Sequence, residues 1–276
     1  MHPEIAHWGV IHIRSYGLLL AVAFLFGTWI SLREARRLRL DEDRVVNVIL
    51  VALVAGVLGA RMLYVLEHVS EFRREWGSVL ALWQGGLTLY GGVVAGAFAG
   101  LVAARRQRLP MWVVADALTP ALAIGTMFGR IGCFLNGCCY GRPTTLPWGV
   151  HFPPDSFAGL EFGNSAVHPS QLYFAALGLA LFALVLALRG RFTVPGQLFW
   201  LFLLLFSLAR VPLDFTRAYE SGSELLSVAG VAITESQLTS LMLALFSALM
   251  MLRLARERTA APGEREAADP PAAPAT

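Results

Sequence analysis

The segment between residues 129 and 142, with the sequence GRIGCFLNGCCYGR, carries residue types suited to binding a phosphate. Glycine allows a ligand to approach the main chain, and the guanidinium of arginine presents a planar fork of donors that matches phosphate oxygens. A helix that ends in a polar loop commonly contains one Gly-Arg pair, but this segment is denser in such residues. It therefore predicts a site for a phosphate-bearing ligand at a membrane face.

The composition places this segment in a membrane protein. Of the 276 residues, 56% are hydrophobic and 15% are charged, and the mean hydropathy is +0.60. About seven apolar stretches have the length, roughly 17 to 25 residues, that crosses a bilayer as a helix. They cover residues 16–32, 45–66, 87–104, 111–128, 172–188, 197–213 and 238–254. We therefore predict an all-α, polytopic integral membrane protein with about seven transmembrane helices.

The arginines predict the orientation of these helices, because connections rich in basic residues stay in the cytoplasm. Most of them lie in connections 33–44, 105–108 and 189–191 and in the tail after residue 252. The N-terminus is therefore expected outside and the C-terminus in the cytoplasm. No small-residue cleavage site follows the first stretch, so we expect it to remain as a span. The net charge of +3 mainly reflects this bias, and we find no nucleic-acid-binding motif.

With this orientation, unusual polar residues gather at the outer ends of the spans. They are Tyr16, Arg61, Tyr90, Arg130, His168, Arg210, Asp214 and Arg217. A charge within a span costs about 2.5 to 3.5 kcal/mol on insertion scales, so such residues usually face a cavity and often have a function. Arg61 and Arg210 either snorkel to the nearby interface or converge with Arg130. The clustering favours one extracytoplasmic site.

Two motifs at this face resemble the signatures of a known family. The first is the segment 129–142 itself, and the second is HPSQLY at residues 168–173. Shorter matches are Tyr16-Gly17, Gly59-Ala60-Arg61, Gly85-Gly86 with Gly91-Gly92, and Arg210 followed by Asp214 and Arg217. Together, over nearly the whole chain, they resemble the bacterial phosphatidylglycerol:prolipoprotein diacylglyceryl transferase family.

The resemblance implies transfer of the diacylglyceryl group from phosphatidylglycerol to the lipobox cysteine thiol of a prolipoprotein signal peptide. The products would be a thioether and glycerol phosphate, in the first step of lipoprotein maturation. It also implies a multi-pass protein of the bacterial inner (cytoplasmic) membrane, with the bilayer and these two substrates as its partners and no nucleic acid. The active site would lie at the extracytoplasmic face.

The resemblance also assigns candidate residues. Arg130, Arg210, Tyr90 and His168 are the candidate catalytic residues. The residues expected to bind phosphatidylglycerol are Arg130, Arg210, Tyr16, Arg61, Asn136, Gly141, Asp214 and Arg217. Physical reasoning supports the role of the arginines, because negative charge grows on the departing phosphate and preorganised cations stabilise it.

Several residues depart from the family pattern and leave the general base open. Tyr90 stands where the family commonly has a histidine, and a phenol with an ordinary pKa near 10 is a poor base at neutral pH. Phe174 replaces a glutamate, while His168 and His151 remain as possible bases. One alternative is a catalytically inactive or specialised paralogue that binds lipid or lipoprotein. A transporter is a second alternative, but we find no internal repeat of the kind typical of transporters.

The three cysteines, Cys133, Cys138 and Cys139, fall on the oxidising side of the membrane in this topology. A disulfide between Cys133 and Cys138 is conceivable, and so is a zinc site completed by His151 or His168. The spacing does not favour zinc because no Cys-x-x-Cys pair is present. We expect plain packing or a disulfide here, with no metal and no cofactor.

The chain is expected to form a single transmembrane catalytic domain over residues 1–258. The segment 67–86 is predicted to be an arm lying in the interface, and the segment 142–167 a small cap over the site. Residues 259–276 consist largely of Ala, Pro, Glu and Gly, which offer little to bury. They are predicted to form a disordered cytoplasmic tail.

Overall fold

The computed structural model describes residues 4–8, 11–73, 76–81, 85–219, 224–228 and 231–268. Its helices are α1 Ser15–Arg37, α2 Glu42–Glu67, α3 Val69–Phe72, α4 Leu89–Arg106, α5 Met111–Asn136, α6 Phe157–Phe162, α7 Ser170–Leu188, α8 Gln197–Asp214 and α9 Glu235–Ala268. A 3₁₀ helix covers Trp76–Leu80. The predicted all-helical class is confirmed.

Two short antiparallel hairpins accompany the helices. Strand β1 (Glu4–Trp8) pairs with β2 (Ile11–Arg14), and β3 (Glu224–Val228) pairs with β4 (Val231–Thr234). The sequence analysis did not predict them, because short strands in the connections leave no trace in a search for long apolar stretches.

Six of the described helices are long and apolar enough to cross a membrane: α1, α2, α5, α7, α8 and the Glu235–Arg256 part of α9. The remaining predicted span, 87–104, corresponds to α4, which has 18 residues. It is not among the six, and Arg105 and Arg106 occupy its last turn. Many large apolar side chains are exposed on these helices, including Leu25, Val54 and Met242. Such a surface suits lipid, since in water its exposure would be unfavourable.

The chain divides into two compact units, Met1–Gly27 with Thr119–Thr276 and Thr28–Leu118. In the second unit, α2 and α4 approach through glycines. A Cβ on Gly59 would lie 2.2 Å from the Cβ of Ala95, and a Cβ on Gly91 would lie 2.4 Å from the carbonyl oxygen of Gly59. Only a residue without a side chain allows this contact, as in other closely packed membrane helices.

In the first unit, α5, α7 and α8 share an apolar core. Its buried residues are Ala123, Leu181, Val185, Leu198 and Phe202. A Cβ on Gly178 of α7 would lie 2.8 Å from the main-chain nitrogen of Met127 on α5. The close approach of these helices fixes the relative positions of their ends, where the candidate site residues lie.

The segment 142–167, predicted as a cap, folds around a small core of its own. Its helix α6 begins after Ser156, whose side chain caps the amide of Gly159 at 3.1 Å. Phe152, Ala158 and Val167 form the buried centre, with Phe134 of α5 packed against it. The segment is therefore anchored to the C-terminal end of α5.

Two predicted segments lie only partly within the described residues. In the predicted arm, 67–86, the structure describes α3 and the 3₁₀ helix, whereas residues 74, 75 and 82–84 fall outside the described part. In the predicted disordered tail, 259–276, helix α9 continues to Ala268, and residues 269–276 fall outside it.

Candidate active site

Arg130 and Arg210 both lie against the ring of one buried residue, Phe174. The guanidinium carbon lies 4.6 Å from the ring centroid for Arg130 and 5.7 Å for Arg210. The distance between the two guanidinium carbons therefore does not exceed the sum of these values. Phe174 is 0% exposed and the two arginines are partly buried, so both cations lie against a buried aromatic ring. Cation–π contacts of this kind stabilise a partly desolvated guanidinium.

The two arginines differ in their hydrogen bonds. Nε and Nη2 of Arg210 both donate to Oγ of Ser236 at the start of α9. Among the described residues, the guanidinium of Arg130 makes no hydrogen bond or ion pair. Its donors are therefore available to an anionic ligand, whereas Arg210 is already oriented by α9.

A Schellman motif closes α5 six residues beyond Arg130. The amide of Cys138 donates to the carbonyl of Cys133 at 3.1 Å, and that of Gly137 donates to the carbonyl of Phe134 at 3.2 Å. Gly137 has φ +72°, the left-handed conformation that this motif requires at the first residue past the helix. The motif folds Cys138 back over Cys133, and Gln171 of α7 holds it there by donating to its carbonyl at 2.8 Å.

The next residues pair with the end of α8 and the start of α7. The amide of Gly141 donates to the carbonyl of His168 at 3.0 Å, and the amide of Arg142 donates to the carbonyl of Thr216 at 2.9 Å. Gly141 also forms an isolated bridge with Arg217. A Cβ on Gly141 would lie 2.4 Å from the carbonyl oxygen of His168, so glycine is required at this crossing.

Asp214, Arg217 and Tyr219 form a small polar group at the end of α8. Tyr219 donates to Oδ1 of Asp214 at 2.9 Å, and the guanidinium carbon of Arg217 lies 4.8 Å from the Tyr219 ring centroid. Oδ2 of Asp214 and Nε of Arg217 are buried and have no hydrogen-bond partner among the described residues. An unpaired buried polar atom costs about 1–3 kcal/mol, so these two atoms indicate a polar ligand.

Burial and neighbouring charges set the charge states of Tyr219 and Arg217. Burial raises the pKa of the Tyr219 phenol, so the hydroxyl stays protonated and donates to Asp214. Burial lowers the pKa of the Arg217 guanidinium, but the neighbouring Cys139, Tyr219 and Asp214 raise it above its ordinary value. Arg217 is therefore a permanent cation beside the three cysteines.

The sulfur atoms of Cys133, Cys138 and Cys139 all lie within 4.8 Å of one another. The three are half-buried and are not joined in disulfides. Hydrogen bonds from Cys133 and Cys138 lower the pKa of the Cys139 thiol far below its ordinary range, against the effect of burial, and the charges of Arg217 and Arg130 act in the same direction. The disulfide between Cys133 and Cys138 that the sequence left open is therefore not formed.

Tyr16, Asn136 and His168 lie around this group in the same unit. Tyr16, at the start of α1, is an electrostatic neighbour of the three cysteines and of Arg130, and a Cβ on Gly132 would lie 2.9 Å from its ring. Asn136 is the last residue of α5, and its side chain lies near the Cys138 thiol. Nδ1 of His168 lies 3.4 Å from Oη of Tyr173, which accepts a hydrogen bond from Trp148 at 2.7 Å.

Arg61 and Tyr90 belong to the other unit. Arg61 is 4% exposed and donates to the main-chain carbonyls of Ser78, Val79, Gly85 and Gly86 at 2.6 to 3.1 Å. It therefore holds the end of the 3₁₀ helix and the Gly85-Gly86 pair against α2. Tyr90, in the first turn of α4, is 48% exposed.

Sequence reasoning missed three residues that organise the site. Phe174 was noted only as a departure from a pattern, although it directly follows the HPSQLY motif in the first turns of α7. Ser236 and Tyr219 carry no distinctive pattern. Their proximity in sequence to Glu235 and Arg217, both at the ends of spans, was the available signal.

Comparison with known proteins gives a consistent result. Residues 3–253 match the family described as prolipoprotein diacylglyceryl transferase. The chain is similar to phosphatidylglycerol–prolipoprotein diacylglyceryl transferase of Trichormus variabilis, with 34% identity over 78% of each chain. The protein of the same name from Geobacter sulfurreducens is 33% identical over 93% of this chain and 96% of the relative. That from Lactobacillus acidophilus is 29% identical over 95% and 92%.

Proposed function

This chain belongs to the prolipoprotein diacylglyceryl transferase family, and from that premise we propose that it transfers the diacylglyceryl group of phosphatidylglycerol to a prolipoprotein cysteine. The thiol attacks the glyceryl carbon that bears the phosphate, giving a thioether, and glycerol phosphate leaves. The acceptor is the cysteine of the lipobox in the signal peptide. The enzyme is a bacterial membrane protein, and its site lies at the extracytoplasmic face of the inner membrane.

The observation that carries this proposal is the convergence of Arg130 and Arg210 on Phe174. The phosphodiester has one negative charge, and a second develops as the bond from carbon to oxygen breaks. Two guanidiniums held in a poorly hydrated place stabilise that added charge without having to reorganise. Arg130 supplies unpaired donors for the phosphate oxygens, and Arg210, held by Ser236, supplies a fixed positive charge.

The polar group at the end of α8 suits the remaining part of the lipid headgroup. Phosphatidylglycerol carries a terminal glycerol with two hydroxyls, which both donate and accept hydrogen bonds. Oδ2 of Asp214 is an unpaired acceptor and Nε of Arg217 an unpaired donor. These two atoms bind the glycerol hydroxyls or the adjoining phosphate oxygen, so the headgroup is recognised beyond its charge.

The other predicted residues in this unit position the headgroup and the thiol. Gly141 allows the main chain to cross His168 closely, and Asn136 lies at the end of α5 near Cys138. Tyr16 provides a hydroxyl near Arg130, and His168 is a candidate acceptor for the thiol proton. The predicted roles of Arg61 and Tyr90 are kept as hypotheses for mutagenesis.

The proposed face of the membrane follows from the distribution of arginine. The residues of the site lie at the C-terminal ends of α5 and α8 and at the N-terminal ends of α1, α7 and α9. Their opposite ends are the ones that adjoin the arginine-rich connections and tail. By the bias of basic residues toward the cytoplasm, the site then faces outward.

The test is complementation in a bacterium depleted of its own transferase. The chain is expected to restore the mass increase of a lipobox reporter protein, whereas Arg130→Ala and Arg210→Ala each abolish it while accumulating normally in the membrane. Arg191→Ala is the matched control, because Arg191 is an exposed arginine of the same unit in the connection between α7 and α8. Failure of the unmodified chain to lipidate the reporter would reject the proposed activity and favour a binding paralogue.

A further inference from the structure

The cluster of Cys133, Cys138 and Cys139 has no part in the phosphate site described above. We infer that these three cysteines form a zinc site whose fourth position binds the thiol of the acceptor cysteine and delivers it as a thiolate. This inference rests on the proposed function for the identity of the incoming thiol, but the metal site itself does not. It replaces the expectation from sequence that this region contains no metal.

The course of the main chain after α5 brings the three sulfur atoms together. The Schellman motif after α5 returns Cys138 to Cys133, and Cys139 then adopts φ +58°. A non-glycine residue in the left-handed region is uncommon and costs about 1–3 kcal/mol, and such residues concentrate at functional sites. The result is three sulfurs within 4.8 Å of one another on a loop fixed by Gln171.

The number and type of donors favour zinc with an open position. Structural zinc sites have four protein ligands, whereas catalytic sites have three and leave the fourth for water or substrate. Among the described residues, the mutually close group of potential ligands contains these three cysteines and no histidine or carboxylate. Zinc also has no redox chemistry and accepts a fourth sulfur in tetrahedral geometry, which the transfer of a thiol requires.

The surrounding charges suit such a complex. Zinc with three thiolates carries a net charge of about −1 and with a fourth thiolate about −2. The guanidiniums of Arg217 and Arg130 are electrostatic neighbours of Cys139 and offset that negative charge. The carbonyl groups at the C-terminal end of α5 favour the cation itself. The cluster is half-buried, so one side remains accessible to a substrate.

The reaction that follows balances without a further reactant. The acceptor thiol coordinates zinc and releases its proton to water. The zinc-bound sulfur uses an electron pair to form the bond to the glyceryl carbon, and the bond from that carbon to the phosphate oxygen breaks. Its electron pair leaves with the oxygen, beside Arg130 and Arg210, and zinc keeps its oxidation state. Metal coordination deprotonates a thiol outright, so a strong base is not needed at the position of Tyr90.

The experiment begins with metal analysis of the full chain, purified in detergent under reducing conditions and supplied with Zn²⁺. Elemental mass spectrometry is expected to find about one tightly bound zinc per chain. The variant Cys139→Ser is expected to lose most of this zinc. His151→Ala is the control, because His151 is an exposed potential ligand that lies outside the cluster. It is expected to retain the zinc.

A second measurement on the unmodified chain avoids dependence on the folding of the variant. Co²⁺ in place of zinc is expected to give the visible absorption of a tetrahedral, sulfur-rich site. Addition of a peptide with the lipobox cysteine is expected to shift this absorption, and the same peptide with serine at that position is expected to leave it unchanged. Neither signal depends on turnover.

Four results would overturn the inference. Three concern metal binding: a reduced chain that binds neither Zn²⁺ nor Co²⁺, stoichiometric copper in place of zinc, and a cobalt spectrum that is identical with and without the cysteine peptide. The fourth is lipid transfer at the full rate by the metal-free protein. These outcomes are separable from a failure of the proposed function. If the metal-free protein still lipidates the peptide at the full rate, the zinc site is rejected and the transferase activity stands. If the cobalt spectrum shifts with the peptide but the zinc-loaded protein never transfers lipid, the metal site stands and the transferase activity is rejected.

Discussion

Nε2 of Gln171 donates to the main-chain carbonyl of Cys138 at 2.8 Å and thereby ties α7 to the loop that follows α5. Gln171 is 0% exposed, so this hydrogen bond is shielded from water. It joins the HPSQLY motif to the cysteine-rich segment, two stretches separated by a cap segment in sequence. Their juxtaposition gives the site its shape.

Replacement of Gln171 should therefore disturb the site more than the fold. In Gln171→Met the volume is nearly kept and the donor is lost, leaving a buried carbonyl unpaired at a cost of about 1–3 kcal/mol. We expect a lower melting temperature in detergent and a larger fall in the rate of lipid transfer. Gln197→Met is the control and should keep the rate of lipid transfer. Gln197 is also a buried glutamine, but it lies at the N-terminal end of α8, away from the site. Equal rates in the two variants would contradict a positioning role for Gln171.

Phe174 is expected to act through the arginines it supports. Phe174→Leu keeps an apolar side chain but removes two cation–π contacts, each worth about 0.5–2 kcal/mol. The expected result is a higher KM for phosphatidylglycerol and a lower kcat. Phe182→Leu, on the same helix and in the apolar core, loses similar packing without touching either arginine. If Phe182→Leu impaired turnover as much as Phe174→Leu, the effect would be one of packing alone.

Glycine at position 141 is expected to be indispensable. In Gly141→Ala the new Cβ would meet the His168 carbonyl oxygen at 2.4 Å and Oγ of Ser170 at 2.5 Å. The main-chain segments at Gly141 and His168 would therefore have to move apart. We predict loss of most transfer activity with the protein still inserted in the membrane. Gly125→Ala in α5 meets nothing within 4 Å and should stabilise the helix by up to about 1 kcal/mol. Full activity of Gly141→Ala would show that the crossing is not needed.

Arg61 is expected to support structure in its own unit. Lysine keeps the charge but not the planar fork, so in Arg61→Lys some of the four carbonyl partners of Arg61 lose their donor. Hydrogen bonds to a charged group contribute about 1.5–3 kcal/mol each, and stability should fall by at least one such contribution. Thermal unfolding followed by circular dichroism measures this. Arg105→Lys, at an exposed arginine of the same unit, should leave stability unchanged. An unchanged melting temperature for Arg61→Lys would contradict this structural role.

Much of the site could be predicted from sequence because its chemistry is concentrated in local patterns. The glycines and arginines of residues 129–142 predict a phosphate-binding loop, and Gly137 marks the end of α5 in the way that a Schellman glycine does. Six of the predicted spans agree with helices that are long and apolar enough to cross a membrane. The exception is α4, which contains several glycines and ends in Arg105-Arg106.

The parts that could not be predicted depend on tertiary contacts. The carbonyl groups that accept hydrogen bonds from Arg61 lie in a connection with no distinctive composition. The sequence therefore gave no indication that the Arg61 guanidinium donates to the main chain. The cysteine cluster requires a left-handed Cys139, which spacing does not reveal. The hydrogen bond from Arg210 to Ser236 joins two helices that meet only in the folded chain.

The account depends most on Arg130 and Arg210 acting together on one phosphate. The direct measurement is the release of glycerol phosphate from phosphatidylglycerol by purified protein in liposomes after addition of a lipobox peptide. For the double variant Arg130→Ala, Arg210→Ala, the account predicts a fall of at least about 100-fold, since removal of one preorganised charge-stabilising group alone typically costs that much, while Arg191→Ala keeps the normal rate. Release by the double variant at the rate of Arg191→Ala would contradict it.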